Sequence, residues 1–158
     1  MNTDKNTIEA RHFTENVLAL LTETFEGSPP EGSRYLDRGV GVLNTIDKIS
    51  AENASRSIGG ASLAAHLEHA RFYLVALIEF INGRTEKVDW NESWLIKTVD
   101  ENSWNSLREN VRRDYETVVR TFKSIEIWDD DKVGDAMAIV VHTAYHLGAM
   151  RQIIKGQK

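Results

Sequence analysis

The chain has 158 residues, a formal net charge of −5 and no cysteine. A chain of this length buries roughly 70% of its unfolded surface, which predicts one domain over residues 1–158 that needs no metal or disulfide in order to fold. The missing cysteine excludes disulfides, thiolate nucleophiles and cysteine-ligated metal sites, and the acidic balance without a basic cluster argues against nucleic acid as a partner.

The sequence also argues against a membrane or secretory role. Residues 1–6 are polar and precede an amphipathic pattern, which is unlike a secretory signal. The apolar runs are interrupted by Glu79 and His142 before they reach the length that crosses a bilayer. We therefore predict a cytoplasmic protein with no membrane partner, which acts on a small molecule or on another protein.

Apolar residues recur at helical spacing along the first half of the chain. The pattern predicts a helix over residues 7–25, and the glycines and prolines of residues 27–33 predict a loop after it. A second, shorter helix is predicted over residues 35–49. Ser50 is suited to cap a single helical turn, and the strongest periodicity predicts a core-facing helix over residues 61–81.

The second half of the chain continues this helical pattern after an interruption. Residues 84–99 are irregular but contain Trp90 and Trp94, side chains large enough to cover a core or line a pocket. Asp100 is suited to cap a helix over residues 101–122, and the acidic residues that begin the final helix, predicted over 131–155, suit the positive end of its dipole. Long amphipathic helices without a convincing strand predict an all-α protein that packs as an antiparallel bundle.

Four of the five histidines fall on two of the predicted helices. His142 and His146 are four residues apart in an apolar run, so they project from one face of the last helix and can hold one metal ion. The same spacing also suits two core histidines with hydrogen-bonded rings. The helix over residues 61–81 offers His66 or His69 as a third ligand, and helical geometry alone favours His66, which lies nearer the centre of the apolar face.

Two segments carry a resemblance to a known family. The sequence SLAAHLEHA at residues 62–70, followed about seventy residues later by HTAYHLG at residues 142–148, resembles the DinB family, also called DinB/YfiT-like. The resemblance follows the helix order along nearly the whole chain. It implies a DinB-like four-helix bundle with an additional short helix, an irregular tryptophan-containing connection and a three-histidine metal site.

The resemblance also implies which histidines bind the metal. Matching the start of residues 62–70 to the family pattern places the first ligand at His69, with the other two at His142 and His146. Since helical geometry favours His66, that residue remains the alternative first ligand. Three neutral imidazoles leave an open coordination position, as catalytic metal sites do. Nitrogen ligands suit several divalent metals, of which zinc and nickel are the preferred candidates.

A ligating histidine usually donates its second ring N–H to a carboxylate or carbonyl. Asp135 lies two turns before His142 on the same helix face, so it is the predicted acceptor for that ring. The alternative is an ordinary acidic residue in the first turns of the helix.

The chemistry open to such a site is the activation of water or of a thiol. Relatives in the family imply a metal-dependent S-transferase that uses a low-molecular-weight thiol, which agrees with a chain that lacks cysteine. The alternatives are a metal-dependent hydrolase and a non-catalytic, stress-associated bundle that binds a metal or ligand. The family resemblance also implies a homodimer.

Overall fold

The structure is a computed structural model that describes residues 7–157. The polar segment 1–6, on which the absence of a secretory signal was predicted, and residue 158 lie outside this range. The described chain is all-α, as predicted, with no β-strand and one isolated bridge between Ser57 and Ser62. Its α-helices are α1 (Ala10–Glu26), α2 (Val42–Ile46), α3 (Ala51–Ser55), α4 (Leu63–Ile81), α5 (Glu101–Ser124) and α6 (Asp130–Gly156), and a 3₁₀ helix (Trp90–Trp94) lies between α4 and α5.

Four of the six α-helices in residues 7–157 begin at a residue whose side chain accepts a free backbone N–H of the first turn. Ser50 caps α3, Asp100 caps α5 and Asp129 caps α6, as their positions in the sequence predict. Ser62 caps α4 by accepting from the backbone N–H of Ala65. Helix α4 therefore begins at Leu63, two residues after the predicted start at residue 61. These four caps place the helix starts independently of the tertiary packing.

The predicted helix over residues 35–49 is wrong for its first seven residues, and only α2 is helical there. The carboxylate of Glu23 on α1 accepts hydrogen bonds from the backbone N–H groups of Arg34, Tyr35 and Leu36, which holds that segment in a loop. Burial opposes ionisation of Glu23, but these bonds outweigh it and lower its pKa to about 2. At Gly41 a Cβ atom would lie 2.5 Å from the backbone nitrogen of Gly27, so the loop passes too close to α1 for a larger residue.

Packing between the helices brings α4 alongside α6. Helix α1 contacts α5 and α6, and α5 also contacts α4. The fully buried side chains include Leu67 of α4, Leu147 of α6 and Phe122 of α5, which join one hydrophobic core. The facing pair α4 and α6 carries four of the histidines. In residues 7–157, no helix combines the length and the apolar character needed to cross a membrane.

Candidate metal centre

Helices α4 and α6 bring three histidines together. Nε2 of His142 lies 3.1 Å from Nε2 of His69 and 3.2 Å from Nε2 of His146. The candidate ligand atoms of the three residues all lie within 4.8 Å of one another. Within the described chain, His69, His142 and His146 are therefore close enough to bind one metal ion.

These separations match the geometry of a small divalent ion. Zinc binds histidine nitrogen at about 2.0–2.1 Å, and tetrahedral angles then separate two ligand nitrogens by about 3.3–3.4 Å. The two Nε2–Nε2 distances, 3.1 and 3.2 Å, are within a few tenths of an ångström of that value. For these two pairs only a small change in side-chain position is needed, and the ligand atoms of all three rings lie within 4.8 Å of one another.

Ser93 fixes the orientation of His69. Its hydroxyl lies 2.6 Å from the carbonyl oxygen of Trp90 and 2.8 Å from Nδ1 of His69. A carbonyl can only accept, so the single hydroxyl proton of Ser93 goes to Trp90, and Ser93 must accept the Nδ1–H of His69. A neutral His69 then has a free lone pair on Nε2, the atom that faces His142, and can donate it to a cation.

The role of Ser93 could not be found in the sequence. The residue lies in the connection between α4 and α5, which was expected to be irregular, and it is buried in the 3₁₀ helix. Asp89 helps to form this turn by accepting from the backbone of Asn91. That turn pattern predicts a local bend, but it does not predict that the bend folds back onto His69.

His66 lies beside the three-histidine group and outside it. Its Nδ1 is 2.9 Å from Nδ1 of His146, whereas Nε2 of His146 faces His142. The structure thus brings His69, the ligand implied by the resemblance, into the group, and it places His66 against the other nitrogen of His146.

The predicted hydrogen bond from His142 to Asp135 is absent. Nδ1 of His142 is buried and has no hydrogen-bond partner within residues 7–157. Seven residues of helix separate the two side chains by about 10 Å along the axis, which is too far for a direct bond. The carboxyl group of Asp135 instead lines a surface cavity with Asp131, and burial, followed by the charge of Asp131, raises its pKa.

The environment keeps the imidazoles neutral. Burial, with a smaller contribution from the neighbouring rings, lowers the pKa of His146 to about 3 and that of His142 to about 4. Burial also lowers the pKa values of His66 and His69. Neutral rings retain the lone pair that a metal requires, so the donor set suits a cation at neutral pH.

Aromatic side chains enclose the group on two sides. The Trp94 ring stacks on His69 with centroids 4.0 Å apart, and the Tyr73 ring stacks on His142 at 3.8 Å. The edge of Trp94 also approaches His146, at 5.9 Å. Trp94 is 39% exposed, so it covers the histidines on one side and meets solvent on the other. The sequence left open whether the tryptophans of this connection cover a core or line a pocket, and Trp94 lies against the histidine group.

A cavity of about 420 Å³ adjoins the same tryptophan. Its walls come from the α3–α4 loop, the first turn of α4 and the segment that follows the 3₁₀ helix. Hydrogen bonds hold these walls together, because Ser62 donates to the carbonyl of Lys97 and Ser55 donates to the carbonyl of Val99. The residues that line it include Ser57, Gly60, Ala65, Trp94, Ile96 and Lys97.

Comparisons with known proteins give no match from which a function could be inferred. The DinB resemblance therefore rests on residues 62–70 and 142–148, and the function has to be argued from the site. No protein-family model matches the chain, and neither a curated protein nor a solved structure matches it.

Proposed function

We propose that this chain is a DinB-like four-helix-bundle protein that binds one divalent metal ion through Nε2 of His69, His142 and His146. The observation that carries the proposal is the hydrogen bond from His69 to Ser93, because it leaves the Nε2 lone pair of His69 directed at the other two rings. Three nitrogen ligands leave one coordination position open. Zinc and nickel are the metals that we expect.

We further propose that the open position receives a low-molecular-weight thiol for an S-transfer reaction. A divalent ion there supplies Lewis acidity that lowers the pKa of a thiol or of water. The thiol is favoured for two reasons. A thiol supplied by a cofactor fits a chain that has no cysteine of its own. In the described residues no carboxylate is hydrogen-bonded to the three histidines to act as a base toward water, and His66 is engaged with His146.

The cavity beside Trp94 supports a small-molecule substrate. Its volume of about 420 Å³ falls in the range of small-molecule sites, about 300–1,000 Å³. Lys97 lies on the wall, and its ammonium group makes no ion pair within residues 7–157. An anionic group on the substrate would be attracted to it. The homodimer implied by the resemblance remains a prediction, which sedimentation of the purified protein tests.

Elemental analysis of the purified protein tests the metal. We expect about one zinc or nickel ion per chain in the parent and loss of that ion in His69→Ala and in His142→Ala. His12→Ala is the matched control, because His12 lies on α1 with its side chain 52% exposed and its ring beside Glu9 and Glu15, away from the three histidines. A metal-free parent that also fails to bind added zinc and nickel would overturn the proposal.

Cobalt substitution separates the thiol from the hydrolytic alternative. Adding reduced glutathione to the cobalt-loaded protein should produce a sulfur-to-metal charge-transfer band in the near ultraviolet. S-methylglutathione, which has no free thiol, is the control and should not produce the band. Cobalt-loaded protein whose spectrum is unchanged by thiols would contradict the S-transferase proposal and leave hydrolysis or simple metal binding.

A further inference from the structure

We propose that His66 is a positioning residue that holds the ring of His146 and is not itself a metal ligand. The inference rests on the proposed metal site. It assigns a role to the one histidine of α4 that the site does not use, and it explains why α4 carries two histidines three residues apart.

The two ring nitrogens of His146 face different neighbours. Nε2 is 3.2 Å from Nε2 of His142, and Nδ1 is 2.9 Å from Nδ1 of His66. A neutral imidazole that gives its Nε2 lone pair to a metal carries its proton on Nδ1. In the described part of the chain, the hydrogen-bond partner of that Nδ1 is His66. His146 therefore donates to His66 when Nε2 is a ligand.

The position of His66 prevents it from replacing a ligand. Nδ1 of His66 faces Nδ1 of His146, whereas Nε2 of His146 is turned toward His142. Trp94 packs edge-on against it, with ring centroids 5.5 Å apart and an interplanar angle of 82°. The ring is thus held between Trp94 and His146, in an orientation suited to accept a hydrogen bond from Nδ1 of His146.

The same helix consequently contributes in two ways to the site. His69 supplies a ligand, and His66, one turn earlier, orients a ligand that belongs to α6. Partners that orient a metal-binding histidine fix its tautomer and ring direction, and their loss commonly costs about 10-fold to 100-fold in metal affinity. Neutral imidazole can fill this role in place of the usual carboxylate or carbonyl because its second nitrogen is an acceptor.

Zinc affinity, measured by competition with a chromophoric chelator, tests the inference. His66→Ala should still bind one zinc ion per chain, about 10-fold to 100-fold more weakly than the parent. His66→Asn should recover most of the affinity, because the amide oxygen can accept near the place of Nδ1. His12→Ala should match the parent, which controls for the loss of a histidine elsewhere.

Nitrogen-15 NMR of the imidazole rings gives a readout that does not depend on activity. The ring N–H shared by His146 and His66 should appear as a downfield, exchange-protected proton in the zinc-loaded and the metal-free protein. It should be absent from His66→Ala and be replaced by an N–H bonded to the amide in His66→Asn. Circular dichroism melting curves confirm that each variant is folded.

The outcomes distinguish this inference from the proposed function. Unchanged zinc affinity in His66→Ala would overturn the positioning role. Complete loss of zinc from that variant, as in His142→Ala, would make His66 a ligand and would also overturn it. A parent that binds neither zinc nor nickel would contradict the proposed function, and the metal-free NMR spectra would still decide whether His146 and His66 are joined by a hydrogen bond.

Discussion

Ser93 accepts the Nδ1–H of His69 across 2.8 Å, and this hydrogen bond joins the connection between α4 and α5 to the histidine group. Because the hydroxyl of Ser93 donates its hydrogen bond to the carbonyl of Trp90, the tautomer of His69 is determined without reference to any metal. The same short 3₁₀ helix ends in Trp94, which stacks on His69. One five-residue segment therefore orients the ring and covers its face.

Replacing Ser93 with alanine should weaken zinc binding about 10-fold to 100-fold with little change in the zinc content at saturation. The lost hydroxyl leaves the Nδ1–H of His69 without an acceptor, so the ring can rotate or adopt the other tautomer. Chelator competition measures the affinity. Ser106→Ala, an exposed serine on α5, is the control. Equal affinities in the parent and in Ser93→Ala would show that Ser93 does not orient the ligand.

Nickel binding should quench the fluorescence of Trp94, because its ring stacks at 4.0 Å on a proposed ligand. We expect Trp94→Phe to lose most of the quenching while it still binds nickel. Trp128→Phe should retain the quenching, since Trp128 packs against Phe13 and Phe122, away from the histidines. If quenching in Trp94→Phe equalled that of the parent, the metal would not be bound beside Trp94.

The metal-free protein should lose stability as the pH falls below about 6.5. The unfolded histidines bind protons near the ordinary value of 6.5, whereas burial lowers the folded pKa of His142 to about 4 and of His146 to about 3. Between these values the unfolded chain binds more protons, so the free energy of unfolding decreases as the solution is acidified. The stabilisation is present above pH 6.5 and is lost as the pH falls toward 4 and then 3.

Urea unfolding after chelator treatment, at several pH values between 7.5 and 4.5, measures this dependence. A double variant with His142→Gln and His146→Gln should have a flatter profile over the same range, because it lacks the two titrating rings. A parent whose unfolding midpoint is as flat as that of the double variant would contradict the lowered pKa values.

Glu23→Gln should destabilise the fold by about 1–3 kcal/mol, the range for a buried hydrogen-bonding group that is left unpaired. The carboxylate is 1% exposed and accepts from three backbone N–H groups and the hydroxyl of Ser33. An amide has one oxygen for these donors and adds two donors of its own. Urea unfolding compares it with Glu15→Gln, whose side chain is 61% exposed. A variant as stable as the parent would show that Glu23 does not hold the loop.

Local features of the sequence determined most of the helices and two of the three candidate ligands. Capping residues such as Asp100 and Asp129 bind backbone groups three residues away, so their effect can be predicted without the tertiary structure. The pairing of His142 with His146 follows from the pitch of a single helix. Helix α2 could not be placed in this way. The carboxylate of Glu23 on α1 accepts hydrogen bonds from the backbone amides of residues 34–36, so the predicted helix does not begin there.

Only the tertiary structure decided which other residues meet that pair. Whether His66 or His69 faces His142 depends on how α4 is rotated and shifted against α6, and the packing of two helices is not set by the pattern of either one. The position of Ser93 depends on how the connection folds back over α4. The separation of Asp135 from His142, by contrast, is set by a single helix, which places residues seven apart at about 10 Å along its axis. The sequence determined that α6 presents two histidines on one face. The packing of α4 and the 3₁₀ helix against that face decided which third histidine joins the pair and how the rings are oriented.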